Sequence, residues 1–297
     1  MTQSFSAWVV DSDSSSLLCD KTGNPARLLL AKTALQTLQD NYATLYADKT
    51  LFGKSTESPQ LVISLEALTR AGFLKKEGDT YRHNGQILIK SGYRTLLNTL
   101  NHEQLGLASH AIQLMRWQTE NRYCGRCGTK TQPHPSEYAM VCSRCHHRGY
   151  PRVQPCVITA ITRLCSNTKK TQILLALHHR HQDKHTPNNP KDAMHGLIAG
   201  FVEIGESLEQ AVLRETLEET ALNVTNLQYV GSQPWPYPSN LMAGFTAEYE
   251  SGNINVQADE LLYAKFFDLD DLPAIPDTGT IARTLIDHVI TRHSLRS

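Results

Sequence analysis

The sequence predicts a mixed α+β protein: an α/β/α sandwich with a mixed sheet over residues 150–297, preceded by a connecting helix and cysteine ribbon over 96–149 and a small α+β domain over 1–95. Three observations carry this reading. From Pro151 onward, apolar strand-like runs enclose one helical stretch and are closed by another. Four of the seven cysteines fall in two C-x-x-C pairs. The first 95 residues alternate short β-prone runs with polar breaks and contain no dense motif.

In that first stretch "AWVV", "ARLLLA", "LVISLEAL" and "GQILIK" read as strands. Between about 96 and 120, Leu105, Leu107, Ala108, Ile112, Leu114 and Met115 recur at helical spacing and predict the connecting helix. The last stretch reads as strands "CVITAITRL", "QILLALHH" and "GLIAGFVE", a helix over 208–220, strands near 226–231, 241–249 and 262–267, and a helix from about 278. Between them "HRHQDKHTPNNPKDAMH" (179–195) holds four histidines and two prolines without periodicity, so it is expected to be a mobile surface loop rather than a metal site.

Lys+Arg and Asp+Glu are equal at 29 each, which excludes the overall basic field that drives nonspecific nucleic-acid or membrane binding. The start, "MTQSFSAWVVDSDSSS", lacks a basic segment followed by an apolar one, and no apolar run reaches membrane-spanning length. A soluble, cytoplasmic protein is the expectation. Seven cysteines, an odd number with four clustered, suit a metal site in a reducing compartment better than a disulfide framework. Cys19, Cys156 and Cys165 are left over and are expected to be buried small apolar residues.

"YCGRCG" and "VCSRC" supply Cys124, Cys127, Cys142 and Cys145. Small residues in each knuckle let backbone amides turn toward thiolate sulfur, and four thiolates complete a closed tetrahedron around one Zn²⁺. With no open coordination position, that zinc is structural. The nearby Arg126, Lys130, Arg144 and Arg148 suit either nucleic acid or plain solvated surface.

The densest chemistry lies in "GFVEIGESLEQAVLRETLEETAL", residues 200–222. Ser207 and Gln210 form an N-cap pair that starts a helix. Leu208, Ala211, Val212 and Leu213 are expected on its buried side, with Glu215, Glu218 and Glu219 together on another face. Like charges at that spacing repel. Arg214 can pair with one of them, and a hard divalent cation, which favours carboxylate oxygen and keeps waters and phosphates as its other ligands, would relieve the rest. Gly200 and Gly205 bound the preceding loop and let its backbone approach a ligand.

This segment resembles the Nudix box, G-x5-E-x7-R-E-U-x-E-E-x-G-U with U a bulky aliphatic residue, through Gly200, Glu206, Arg214, Glu215, Glu218, Glu219 and Leu222. It departs at Thr216, where an aliphatic residue is usual, and at Ala221, where glycine is usual. Threonine carries a hydroxyl to the core side, and alanine at a positive φ costs about 1 kcal/mol. Neither change removes a metal ligand.

Downstream, "SQPWPYPSNLM" (232–242) reads as a stiff, aromatic-bearing loop able to wall a flat base. It is similar to the SQPWPFPxS signature of the NADH pyrophosphatases of the NudC group, a family that also places a four-cysteine zinc ribbon and an N-terminal domain before its Nudix domain. The resemblance implies metal-dependent cleavage of NADH or NAD⁺ to NMN(H) and AMP, with removal of an NAD cap from RNA 5′ ends a further activity of the family. It implies Mg²⁺ or Mn²⁺, about two or three per site, held by the Ala199 carbonyl, Glu215, Glu219 and Glu260, with Glu218 a further ligand or water activator. Phe201 and Tyr150 would sandwich the nicotinamide, the tyrosine reaching across a homodimer. Gln233, Pro234, Trp235, Pro236, Tyr237, Pro238, Ser239 and Asn240 would line the substrate. Ala282 matches a further contact, and Lys21 and Arg94 occupy places where relatives put basic substrate-contacting residues. Two other readings compete: a broader hydrolase of ADP-ribose or other dinucleotides, and a non-catalytic nucleotide sensor. The proline loop disfavours the first, and the presence of every metal glutamate disfavours the second.

Overall fold

The computed structural model describes residues 4–11, 13–31, 38, 42–45, 60–179 and 193–295. It divides into two units: Met1–Val153 with Pro236–Ser239, and Gln154–Trp235 with Asn240–Ser297.

The first unit holds β1 (Ser4–Asp11), β2 (Ser16–Cys19), β3 (Arg27–Ala31), β4 (Tyr42–Leu45), β5 (Gln60–Ser64), β6 (Lys75–Glu77), β7 (Thr80–His83) and β8 (Gln86–Gly92). They form one sheet in the order β4-β5-β1-β2-β8-β7-β6, with β3 also on β1; β1 and β5 run parallel and the other pairs antiparallel. Ala7, Val9, Leu18, Leu28, Ile63, Leu68 and Leu88 make its core. The expected strand "LVISLEAL" is split: after β5 the chain turns into helix α1 (Leu65–Arg70), because Ser64 Oγ caps it by accepting from Ala67 N. After the short α2 (Tyr93–Leu96), α3 (His102–Glu120) starts later than expected. The Asn101 side chain and Gln104 form a reciprocal capping box there, which fixes the start. β9 (Thr131–Pro133), β10 (Met140–Cys142) and β11 (Arg148–Gly149) complete the ribbon.

The second unit is the predicted sandwich. β12 (Gln154–Leu164), β13 (Thr171–His178), β14 (Ile198–Phe201), β15 (Asn223–Trp235), β16 (Asn240–Ser251) and β17 (Leu261–Asp268) form a sheet ordered β15-β16-β12-β13-β17, with β14 also on β12. β12 and β16 are parallel and the rest antiparallel, so the sheet is mixed. Cys156–Ile161 of β12 are buried without a break, as befits a central strand covered on both faces. Val157 and Ile161 meet Ala211 and Val212 of α4 (Leu208–Thr220) on one face. Ile158 and Ala160 meet Ile281, Leu285 and Ile286 of α5 (Ile281–Ser294) on the other.

Several expectations need correction. "SQPWPYPSNLM" is not a loop throughout: Ser232–Trp235 continue β15, Asn240 opens β16, and only Pro236–Ser239 turn. Pro234 is tolerated inside a strand because β15 is the sheet edge, where a missing N–H breaks no ladder. Cys19 and Cys156 are buried as expected, whereas Cys165 is only half-buried, in the turn joining β12 to β13. Most of the 179–195 stretch lies outside the described residues. Its last residue, His195, is fully buried and bonded through Nε2 to the Tyr263 hydroxyl, so that end belongs to the core. Among the described residues no helix is long and apolar enough to cross a membrane.

Helix α4 ends on Ala221 at φ 58°, ψ 24°, the left-handed conformation that favours glycine. Ala221→Gly is therefore expected to stabilise the protein by about 0.5–1 kcal/mol, the relief of the Cβ strain less the entropy that glycine adds to the unfolded chain. Urea unfolding measures it. An unchanged or lower midpoint would contradict a strained cap.

Candidate active site and zinc ribbon

In the ribbon, Sγ–Sγ distances are 3.6 Å for Cys124–Cys145, 3.5 Å for Cys127–Cys142 and 3.6 Å for Cys127–Cys145, and all four sulfurs lie within 4.8 Å of one another. A tetrahedron with Zn–S bonds of about 2.3 Å has edges of about 3.8 Å. The quartet therefore fits zinc. Arg126 N–H donates to Cys124 Sγ and Cys145 N–H to Cys142 Sγ, each at 3.4 Å, the amide-to-sulfur bonds of two knuckles. His146 at φ 56° and Gly128 at φ 71° make the turns that follow them. Elemental analysis of protein purified without added metal is expected to find one zinc per chain, and chelation to lower the unfolding temperature. Zinc-free protein of unchanged stability would overturn this assignment.

In the second unit three carboxylates meet at Arg214. Ser207 and Gln210 form the predicted capping box, which sets the start of α4 and with it the direction of every later side chain. The guanidinium then commits all five of its N–H donors. Nε and Nη2 grip Glu206 Oε1 and Oε2 at 2.6 and 2.8 Å, Nη1 reaches Glu215 Oε1 at 2.8 Å and Glu218 Oε2 at 2.9 Å, and Nη2 also donates to the Phe201 carbonyl at 2.8 Å. The Arg214 hydrogen bonds hold the Glu206 carboxyl down at about 2. Burial pushes Glu215 up; the Arg214 bonds pull against it, and the charges of Glu218 and Glu260 add to the push. Electrostatically, then, Glu215, Glu218 and Glu260 form one group.

Two backbone features bring them together. The Glu215 carboxylate lies flat against Gly200: a Cβ there would sit 1.9 Å from Glu215 Cδ. Beyond the helix, Asn255 N–H and Gln257 N–H take the carbonyls of Thr220 and Glu219, both at 3.0 Å, satisfying the helix end. Glu260 N–H then bonds to the Gln257 carbonyl at 3.1 Å, so the segment that caps α4 also carries Glu260.

Glu219 and Leu213 reverse the expected face of the helix. Leu213 is 43% exposed, whereas Glu219 is 1% exposed on the side shared with Val212, Thr216 and Thr220. The Thr216 hydroxyl is buried without a hydrogen-bond partner among the described residues. The cysteines are the only group of three or more metal-ligating side chains gathered within 4.8 Å among the described residues, so the glutamates are not drawn to one point. A hard cation held by one or two carboxylates and its own waters needs no tighter cluster.

The other predicted residues fall as follows. Ala199 pairs with Ile158 in the sheet, and Phe201, at the end of β14, is half-exposed. Gln233 spends its amide on the start of α5, donating to the Gly279 carbonyl and accepting from Ile281 N–H, both at 2.8 Å. Pro234 and Trp235 are in β15, Asn240 is buried at the start of β16, and Ala282 is in the first turn of α5. In the first unit Tyr150 is half-exposed and Lys21 lies in an exposed turn. Arg94 N–H donates to the Tyr237 hydroxyl at 3.2 Å, with its guanidinium 5.7 Å from the centre of that ring. Pro236, Pro238 and Ser239 belong to the same unit. What the sequence did not disclose is the reach of Arg214 and the part played by Glu206.

The family described as NUDIX domain matches residues 158–289, and the one described as NADH pyrophosphatase zinc ribbon domain matches 120–150. The NAD-capped RNA hydrolase NudC of Escherichia coli O9:H4 (strain HS) and the protein of the same name from Escherichia fergusonii are each 46% identical over 184 residues, 62% of this chain. The match spans 66% of each relative, just under two thirds of its length. A solved structure, a NUDIX hydrolase from Nitrosomonas europaea, is 20% identical with a TM-score of 0.43, covering 57% of this chain and 93% of that one.

Proposed function

Because this chain carries a Nudix domain behind an NADH pyrophosphatase zinc ribbon, we propose that it hydrolyses the pyrophosphate bond of NAD(H) to NMN(H) and AMP, and the same bond where NAD caps an RNA 5′ end. The observation that supports this most is Glu215 and Glu218 held by Arg214, with Glu260 near enough to act on the Glu215 charge, at the end of the strand that carries the exposed Phe201. Glu215, Glu219, Glu260 and the Ala199 carbonyl would hold Mg²⁺ or Mn²⁺, which when bound neutralises the pyrophosphate and lowers the pKa of a water.

The chain's own residues supply the rest. Arg214 orients Glu215 and fixes the Phe201 carbonyl, and so the strand end that presents the Phe201 ring to the nicotinamide. Glu218 is the most exposed of the carboxylates bonded to Arg214, with one oxygen on it and the other available for a proton. Water attacks one phosphorus, the bridging P–O bond breaks, the second phosphate leaves with the bridging oxygen, and Glu218 takes the proton. The protein acts as a homodimer in which the partner subunit's Tyr150 closes the sandwich on the nicotinamide. Lys21, Arg94 and the 233–240 segment contact the remainder of the dinucleotide.

Initial rates on NADH, NAD⁺, ADP-ribose and NAD-capped RNA, from one preparation, test the reading. Tyr150→Ala is expected to weaken NADH relative to ADP-ribose, which lacks the nicotinamide, by the roughly 1–3 kcal/mol of one base–aromatic stack. Equal loss on both substrates would make Tyr150 a structural residue. Absence of cleavage of every dinucleotide would end the proposal.

A further inference from the structure

Ser15 is a strained residue. It is 2% exposed and sits at φ 47°, the left-handed region that favours glycine, in the turn between β1 and β2. A side chain kept in such a conformation at a buried point signals that its atoms are used. The Ser15 hydroxyl donates to the Pro236 carbonyl at 2.6 Å and accepts from Arg116 Nη2, on α3, at 2.9 Å. Because the serine has one hydroxyl proton, the arginine bond directs that proton: with the guanidinium donating to Oγ, the proton is left to point at Pro236. The Ser15 carbonyl accepts in turn from Tyr93 N–H at 3.1 Å. Tyr93 meets the Tyr237 ring edge-on, 6.5 Å between centres, and the next residue, Arg94, bonds the Tyr237 hydroxyl. Three residues of the first unit, Ser15, Tyr93 and Arg94, thus converge on two adjacent residues, Pro236 and Tyr237, with Arg116 behind Ser15.

We propose that Ser15 and Arg116 are positioning residues for substrate binding, which hold the Pro236 carbonyl and thereby fix the turn that carries Tyr237. The inference rests on the reading that residues 233–240 line a dinucleotide. Ser15 and Arg116 belong to the first unit and the carboxylates of α4 to the second, so their loss is expected to act on binding rather than on the chemical step. The pair works as one relay: removing either end releases the same carbonyl.

The test uses Ser15→Gly and Arg116→Met in the full-length chain, singly and together. Glycine suits the backbone at position 15, so the hydroxyl is lost without added strain. Two measurements are made: hydrogen exchange of a peptide spanning Trp235–Asn240, and steady-state kinetics on NADH. Each variant is expected to exchange faster at that peptide with an unfolding temperature near that of the parent. KM for NADH should rise about five- to tenfold, the loss of one hydrogen bond's worth of ordering, with kcat within about twofold. The double variant should match the worse single one. Unchanged exchange in both variants overturns the anchor. Faster exchange with an unchanged KM, additive effects in the double variant, or a loss confined to kcat overturns the positioning role. A parent that cleaves no dinucleotide overturns the proposed function and this role in binding with it, while exchange still decides the anchor by itself.

Discussion

Glu219→Gln is expected to fold like the parent and lose more than about a hundredfold in turnover at saturating divalent cation, beyond the 10–100-fold typical of groups that merely support a ligand. Glu219 is 1% exposed on the core side of α4, and a carboxylate is the ligand type that a hard divalent cation prefers. Glutamine keeps the volume and removes the charge. Added Mg²⁺ or Mn²⁺ should raise the unfolding temperature of the parent and not of the variant, since the proposed site needs the Glu219 carboxylate. Retained turnover, or equal stabilisation of both proteins by the cation, would contradict the role of Glu219.

Arg214→Lys is the second large effect. A lysine carries three donors at one point and cannot span Glu206, Glu215, Glu218 and the Phe201 carbonyl together. Activity should fall about 10–100-fold through a displaced Glu215, and stability by about 1–3 kcal/mol. The pH dependence follows from Glu206, whose folded pKa is lowered from 4.5 to about 2 by Arg214. A lowered folded pKa contributes stability that is whole above 4.5 and is lost as pH falls toward about 2. The stability gap between parent and variant should therefore be constant at neutral pH and shrink on acidification through that window. Urea unfolding at a series of pH values reads it; a gap that widens in acid would exclude the Glu206 clamp as its source.

Local signals were the legible ones. Ser207 and Gln210 gave the start of α4, and the knuckle spacing gave the cysteine quartet, because both are settled by residues within a few positions of each other. The face of α4 was harder. Leu213 and Leu217 look like core residues, yet both are at least 43% exposed, while the smaller Ala211, Val212 and Thr216 pack against the sheet beside Glu219. Hydropathy alone puts a glutamate outside; the fold puts this one inside. Likewise "LVISLEAL" is apolar enough for one long strand, and only the cap at Ser64 breaks it. The contacts of Arg214 with Glu206 and Phe201 depend on how the loop before α4 folds back, which no periodicity reports.

The five committed donors of Arg214 also determine what this guanidinium cannot do. Arginine is a common receptor for phosphate, but here no N–H is left to greet one. Glu206, Glu215 and Glu218, with Glu260 near enough to act on Glu215, together outnumber it, so the neighbourhood is an electronegative basin. Such a field repels an incoming phosphate anion and attracts small cations. Order of arrival is thereby imposed by charge: cations collect first and the anion follows. In cation-poor solution, capture of an anionic ligand should quicken as inert salt screens the basin, the reverse of the behaviour of a basic pocket.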